Sequence, residues 1–119
     1  MIWGTYLGGT SDDAAYSLKM DDSETLYVCG GTNSNNFPIV PGAYDATYNG
    51  GTCDAWLAKI STDGSTLLAS TYLGTPMYDQ SFFIDIDEEL NVYTVGQTAG
   101  IYPISPGVYS NPNSGQYLQ

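Results

Sequence analysis

"TYLGG" occupies Thr5–Gly9, and nearly the same word, "TYLGT", returns at Thr71–Thr75, 66 positions later. At this offset the chain also matches itself further along: Asp21 falls on Asp87, Leu26 on Val92, Tyr27 on Tyr93, Gly30 on Gly96 and Thr32 on Thr98. The shared words occur in the same order in both halves. They therefore mark an internal repeat.

A deletion of one residue extends the repeat to a third pair of words. "FPIVPGAY" at Phe37–Tyr44 then aligns with "YPISPGVY" at Tyr102–Tyr109. The unit is about 65 residues long, and long periods of this kind indicate propellers, solenoids or arrays. The chain holds one full unit and most of a second, which ends where the first would enter "DAWLAKI" (Asp54–Ile60).

The composition limits the range of partners. Of the 119 residues 13% are charged, and only Lys19 and Lys59 are basic, which gives a formal net charge of −11. Nucleic acids and anionic membranes attract clustered Lys or Arg, so we expect neither as a partner. The sequence has no apolar run long enough to span a bilayer, so we expect no membrane insertion.

Short β-prone runs separated by Gly, Asn, Asp and Pro recur throughout, and no stretch shows a helical period. The predicted strands are Trp3–Leu7, Ala15–Met20, Thr25–Gly30, Ala55–Ile60, Leu67–Leu73, Phe82–Ile86 and Val92–Gln97. We predict an all-β fold of antiparallel four-stranded propeller blades, about two of them, which is an incomplete propeller. The predicted core consists of Leu18, Met20, Leu26, Val28, Trp56, Leu57, Ile60, Phe83, Ile84, Ile86 and Val92.

Taken together, "STYLG", "LYVCGGTNSNNFPIVPGAY", "YNGG" and "DAWLAKISTDGS" resemble the SBBP family of bacterial β-propeller repeats. The resemblance covers essentially the whole chain. It implies blades of four antiparallel strands and a place in large secreted or cell-surface proteins, frequent among Bacteroidetes-type adhesins. It implies no shared activity or set of catalytic residues.

The resemblance divides the chain into three parts. Residues 1–10 are expected to be the outer-strand tail of a preceding blade, residues 11–74 the first blade repeat, and residues 75–119 a truncated second repeat. A closed propeller needs at least about four blades. We therefore expect a fragment of a larger propeller, with self-assembly of copies into a ring or filament as the second explanation and an open pair of sheets as the third.

The expected location is extracellular or at the cell surface. Beyond the resemblance, a polar, lysine-poor and tyrosine-rich surface suits an exported protein. Met1 is followed directly by strand-like sequence and not by a signal peptide. If the protein is exported, we expect this chain to be a processed or excised piece.

Cys29 and Cys53 are the two cysteines of the chain. Cys29 lies near the end of one predicted strand and Cys53 precedes the next, so antiparallel pairing would place them across from each other. We predict a disulfide that closes the long loop and stabilises the fold by about 3 kcal/mol. The alternative is a pair of small buried thiols.

Acidic stretches raise the question of calcium, which prefers several oxygen ligands. The candidate ligands are Asp21, Asp22, Asp85 and Asp87, but their spacing matches no known calcium loop. Aspartate also accepts hydrogen bonds from backbone amides two residues on in turns. The turn role is favoured, and no cofactor is expected.

Candidate chemistry is otherwise sparse, and we expect no enzyme. The sequence has no histidine, which removes the commonest general base. The loop aromatics Phe37, Tyr44, Tyr48 and Tyr109 are candidates for a binding loop, and cover of the blade edge is the favoured alternative. As a carbohydrate-binding module, the chain would use Tyr44, Tyr48, Trp56 and Tyr109 as stacking platforms.

The predicted function is therefore a non-catalytic structural or adhesive module of a secreted or cell-surface bacterial protein. Its expected partners are further blades of the same protein, copies of itself, or glycans. A subunit of an extracellular assembly and a carbohydrate-binding module are the alternatives.

Overall fold

A computed structural model describes residues 2–110 of the chain. It contains six strands, namely β1 (Asp13–Met20), β2 (Leu26–Thr32), β3 (Asp54–Ile60), β4 (Leu67–Leu73), β5 (Asp79–Ile86) and β6 (Val92–Thr98). Strands β1 to β4 form a four-stranded antiparallel sheet in chain order, here the first sheet, and β5 pairs with β6 in the second sheet. The all-β, antiparallel prediction is confirmed. Within the described residues, no helix is long and apolar enough to cross a membrane.

The two sheets share local geometry that follows the sequence repeat. The register of the β1–β2 pair shifts between Ala15 and Ser17, and that of the β5–β6 pair shifts between Ser81 and Phe83, at the equivalent position. The turn after β1 places Glu24 at φ 62°, and the turn after β5 places Leu90 at φ 65°. A positive φ is uncommon for a non-glycine residue, so its recurrence 66 positions later identifies the same turn.

An aspartate fixes each of these turns. Asp21 Oδ1 accepts hydrogen bonds from the amides of Ser23 and Thr25, both at 2.9 Å. Asp87 Oδ1 accepts equivalent bonds from the amides of Glu89 and Asn91, also at 2.9 Å. The carboxylates thus satisfy backbone donors that the tight turn leaves unpaired.

The long segment between β2 and β3 covers one face of the first sheet. Phe37 stacks on Trp56 with ring centroids 4.8 Å apart, and its amide donates to Tyr72 Oη at 3.0 Å. The Tyr72 hydroxyl donates in turn to the carbonyl of Ser34 at 2.8 Å. Leu7 and Tyr48 pack against the same cluster of buried residues. This segment is therefore part of the core.

Two predictions about the fold are wrong. Trp3–Leu7 forms no strand, because no neighbouring strand pairs with it; Trp3 Nε1 instead donates to the carbonyl of Thr62 at 3.0 Å. The predicted core residues Leu18, Met20, Phe83 and Val92 are exposed. Leu18 and Met20 lie on the outer strand β1, at the part of the face that the long segment leaves uncovered, and Phe83 points away from the first sheet.

The other predicted core residues differ in how deeply they are buried. Trp56, Ile60 and Ile84 are buried, whereas Leu26, Val28, Leu57 and Ile86 are partly buried. Tyr27, Phe37 and Tyr72 are buried although the sequence pattern did not single them out as core. Each of them owes its burial to a contact between segments distant in the chain, with Ile84, Trp56 and Phe37 respectively.

We expect Phe37→Ala to lower the free energy of unfolding by about 3–5 kcal/mol, because it removes a buried ring from a closely packed cluster. Tyr44→Ala, in the same segment but at a ring that is 78% exposed, should change it by less than about 0.5 kcal/mol. Chemical denaturation of both variants checks this. Equal, small effects would contradict the assignment of Phe37 to the core.

Candidate functional site

The two sheets meet through an apolar interface that is separate from the cluster around Phe37. Ile84 of β5 packs against Tyr27 and Cys29 of β2, and all three are buried. Leu57 and Ile86 pack around this group. Strand β5 thus crosses the face of the first sheet and contacts β1, β2 and β3. This face-to-face stacking is the contact between the first repeat and the second.

Polar contacts surround the apolar interface. Lys19 Nζ lies 3.4 Å from Asp85 Oδ1, with both side chains largely exposed. Gln80 Nε2 donates to Tyr16 Oη at 3.0 Å, and the Tyr16 and Phe82 rings lie 5.6 Å apart. Lys59 Nζ lies over the Tyr27 ring at 5.2 Å from its centroid. Both lysines of the chain are therefore used where the sheets meet.

Each sheet keeps exposed apolar side chains on the face opposite this interface. On the first sheet the long segment covers part of that face, and Leu18 and Met20 of β1, here called the front face, stay exposed. The second sheet exposes Phe83 of β5 with Tyr93 and Val95 of β6, here called the rear face. Phe83 and Val95 are cross-strand partners, so their side chains lie on the same side of the sheet.

The second sheet is also open at one edge. Strand β6 pairs with β5 alone among the described residues. Beside it, a groove of ≈ 240 Å³ is lined largely by apolar side chains that include Leu57, Ala58, Ile84 and Val92. In the first sheet the equivalent position beside β2 is filled by β3, which carries Trp56.

A pair of buried carboxylates, Asp54 and Asp79, lies where the chain passes from the first sheet to the second. They are 0% and 1% exposed and flank an isolated parallel bridge between Cys53 and Tyr78. Asp54 Oδ2 accepts from the Asn49 amide at 2.6 Å, and Asp79 Oδ2 accepts from the Thr75 amide at 2.7 Å. The Oδ1 atom of each aspartate has no hydrogen-bond partner among the described residues.

Burial raises the pKa of Asp54 to about 6. The nearby carboxylates of Asp79 and Asp45 add to this increase, while the hydrogen bonds from Asn49 oppose it. A neutral carboxyl costs less to bury than a carboxylate without a counter-charge. The folded protein therefore holds a proton on Asp54 more tightly than the unfolded chain does.

Comparison with known protein families gives a match for the N-terminal part of the chain. Residues 2–38, from the N-terminal tail through β1 and β2 to the start of the long segment, match the model of the SBBP family, described as a beta-propeller repeat. These residues are similar to an SBBP-type β-propeller repeat. They include β1 and β2 of the first, four-stranded sheet, and β5 and β6 repeat their sequence pattern at the 66-residue offset. No curated protein matches the chain.

The predicted disulfide between Cys29 and Cys53 is not formed. Both cysteines are free and buried, and Cys29 lies opposite Leu57, four residues beyond Cys53 on the partner segment. At about 3.3 Å per residue along a strand, this offset alone separates their Cα atoms by about 13 Å, whereas a disulfide requires less than about 7 Å. Cys29 Sγ instead donates to the carbonyl of Ser81 at 3.5 Å.

The four calcium candidates do not converge. Asp21 and Asp87 use their carboxylates in the turns, and Asp85 pairs with Lys19. Asp22 is exposed beside the first turn. Among the described residues there is no group of three or more Asp, Glu, Cys or His side chains that could hold a metal ion.

The binding-loop candidates separate into two groups. Phe37 is 3% exposed and Trp56 is 1% exposed, so neither ring can serve as a stacking platform. Tyr48 is half-buried against Tyr72. Tyr44 and Tyr109 remain exposed. The loop prediction is thus wrong for Phe37, whose ring fills the core.

Asp54 and Asp79 were not among the predicted site residues, although the repeat gave one indication of Asp79. At the 66-residue offset Asp79 falls on Asp13, which accepts from the Gly9 amide and from the hydroxyl groups of Thr32 and Ser34. The second repeat has Gly100 in place of Ser34, which removes one donor from the surroundings of Asp79. With the one-residue deletion Asp54 falls on Gln119, which carries no carboxylate, so the repeat did not indicate Asp54.

We expect the protein to lose stability as the pH rises from 3.8 through about 6, the ordinary and the folded pKa of Asp54. An acid whose folded pKa is raised stabilises the fold when protonated, and this contribution disappears as the proton leaves. Denaturation at several pH values should show this slope. Asp54→Asn should flatten it, whereas Asp22→Asn, which removes one exposed charge, should retain it.

We expect both thiols to react slowly in the native protein, because both are buried and burial raises the pKa of each. In denaturant without reductant, two alkyl adducts should appear in the mass spectrum. Adducts that appear only after reduction would restore the disulfide prediction.

Proposed function

We propose that the chain is a non-catalytic structural module whose propeller repeats pack on further repeats, within a larger secreted or cell-surface bacterial protein. The observation that carries this proposal is the contact of Ile84 with Tyr27 and Cys29, in which one repeat buries its apolar strand face on the next. The front and rear faces offer the same kinds of surface again. A stack of sheets that presents its loops outward supports an adhesive role as part of this proposal.

The open edge of β6 supports the same role. In the first sheet, β3 lies beside β2. The open edge of β6 and the adjoining apolar groove lie at the equivalent position of the second sheet. Tyr102, the counterpart of Phe37, borders a second groove, of ≈ 360 Å³, where Phe37 in the first repeat meets Trp56. A strand like β3 would therefore complete both the backbone pairing and the aromatic stack.

A glycan partner is the second candidate. The exposed rings of Tyr44 and Tyr109, 78% and 91% exposed, favour it, since flat aromatic surfaces stack on sugar rings. Burial of Phe37 and Trp56 leaves two of the predicted platforms unsuitable. The repeat-packing role accounts for more of the exposed apolar surface.

The proposal predicts that a further strand will stabilise the protein. The repeat alignment places residue 110 on Asp45. A variant in which a copy of residues 46–74 replaces residues 111–119 therefore supplies counterparts of β3 and β4 in register. We expect its thermal midpoint to rise by about 5 °C or more, since one kcal/mol corresponds to about 4–8 °C for a domain of this size. Hydrogen exchange should show new protection of the β6 amides.

The matched control carries the same extension with the copied Trp56 replaced by Ser. It should gain much less, because the ring that would stack on Tyr102 is missing. An extension that leaves both the midpoint and the exchange of β6 unchanged would contradict the proposed function.

A further inference from the structure

The repeat offset relates the two open faces to the interface already formed between the sheets. Leu18 and Met20 of the front face correspond to Ile84 and Ile86, the residues that the second sheet buries on the first. Leu18 is 61% exposed, whereas Ile84 is 4% exposed. The front face therefore carries the apolar residues of a repeat interface without the surface that would receive them.

The rear face is the counterpart of that receiving surface. Tyr93 and Val95 correspond to Tyr27 and Cys29, between which Ile84 is buried. Phe83 corresponds to Ser17, which accepts a hydrogen bond from the Ile84 amide at 3.4 Å. One end of the chain thus presents the inserting half of the interface, and the other end presents the receiving half.

We propose that copies of this chain associate head to tail, with the front face of one copy packed on the rear face of the next. This inference rests on the proposed packing of repeats, and it adds the identity of the partner. The new contact would continue the interface between the two sheets, with Leu18 and Met20 in the places of Ile84 and Ile86.

The charges at the interface favour a second copy as the partner. Lys19 and Asp85 occupy equivalent positions in the two repeats, carry opposite charges, and pair at 3.4 Å within the chain. The same relation between neighbouring copies places Lys19 of one copy beside Asp85 of the other. A repeat with an acid at both positions would instead place two carboxylates together, which is unfavourable.

Head-to-tail contact between different faces is heterologous, so it closes into a ring when the rotation per copy allows. Each copy brings one full repeat and most of a second, and propellers have about four to eight blades, so a ring would take about two to four copies. The net charge of −11 on each copy opposes association. Salt at physiological strength screens charges beyond about 8 Å, so assembly should strengthen when salt is added to a low-salt solution.

Sedimentation velocity of the full chain tests the proposal. From micromolar to near-millimolar concentration at physiological salt, we expect the mass to rise to two to four times that of the monomer. Leu18→Asn removes the front face and Val95→Asn removes the rear face; each variant alone should remain monomeric. Ile101→Asn, at an exposed loop residue outside both faces, should assemble like the unmodified chain.

Mixing the two monomeric variants gives the sharpest result. Val95→Asn retains an intact front face and Leu18→Asn an intact rear face, so a mixture should form one-to-one dimers and nothing larger. Circular dichroism and the thermal midpoint of each variant verify folding, and Met20→Asn replaces Leu18→Asn if the latter fails to fold. Failure of the mixture to form dimers would overturn the proposal.

A chain that stays monomeric at every concentration and salt level would also overturn it. That result is distinct from failure of the proposed function, which the strand extension tests within a single chain. If the extension stabilises a chain that never associates, repeats pack only within one polypeptide. If the variants assemble as the unmodified chain does, the contact lies elsewhere and the head-to-tail assignment is wrong.

Discussion

Ile84 packs between Tyr27 and Cys29, and through this contact the first sheet stabilises the second. A two-stranded hairpin is marginally stable by itself in water, because it has little apolar surface to bury. Strands β5 and β6 form such a hairpin, and β5 gains its burial by crossing β1, β2 and β3. Turns, register shifts and strand lengths in the second sheet repeat those of the first, but their persistence depends on this packing.

Equivalent residues of the two repeats differ in burial although their side chains are of the same kind. Leu18 and Ile84 occupy one position, and so do Met20 and Ile86, yet only the residues of the second repeat meet a partner sheet. Apolar side chains on one face of a propeller strand indicate that this face packs against another sheet. Which face is buried depends on the neighbour, and alternation within one strand carries no information about it.

This distinction explains what the sequence could predict. The six observed strands and the repeated turns were predictable, because short β-prone runs and turn-forming Asp residues act locally. The core was predicted only in part, since Tyr27, Phe37 and Tyr72 are buried by segments distant in the chain. The disulfide prediction failed for a related reason: proximity to strand ends did not determine register, and the register places Cys29 opposite Leu57.

The same limit applies to the buried acids, and their positions explain the word that repeats in the sequence. Gly9 and Thr75 are equivalent, and their amides donate to Asp13 and Asp79, which begin the next sheet in each repeat. The aspartate therefore fixes the "TYLG" segment to the strand that follows, where the chain passes between blades. In the first repeat, Thr32 and Ser34 satisfy the remaining capacity of Asp13.

In the second repeat, Oδ1 of Asp79 has no hydrogen-bond donor in the part of the chain that the structure describes, and Asp54 adds another carboxyl group nearby. Both lysines lie at the contact between the sheets, beside Asp85 and over Tyr27, so neither is engaged with this pair. Protonation of Asp54 is then the available means of lowering the cost of burial. We therefore expect the junction between the two sheets to be a place where the stability of the protein depends on pH.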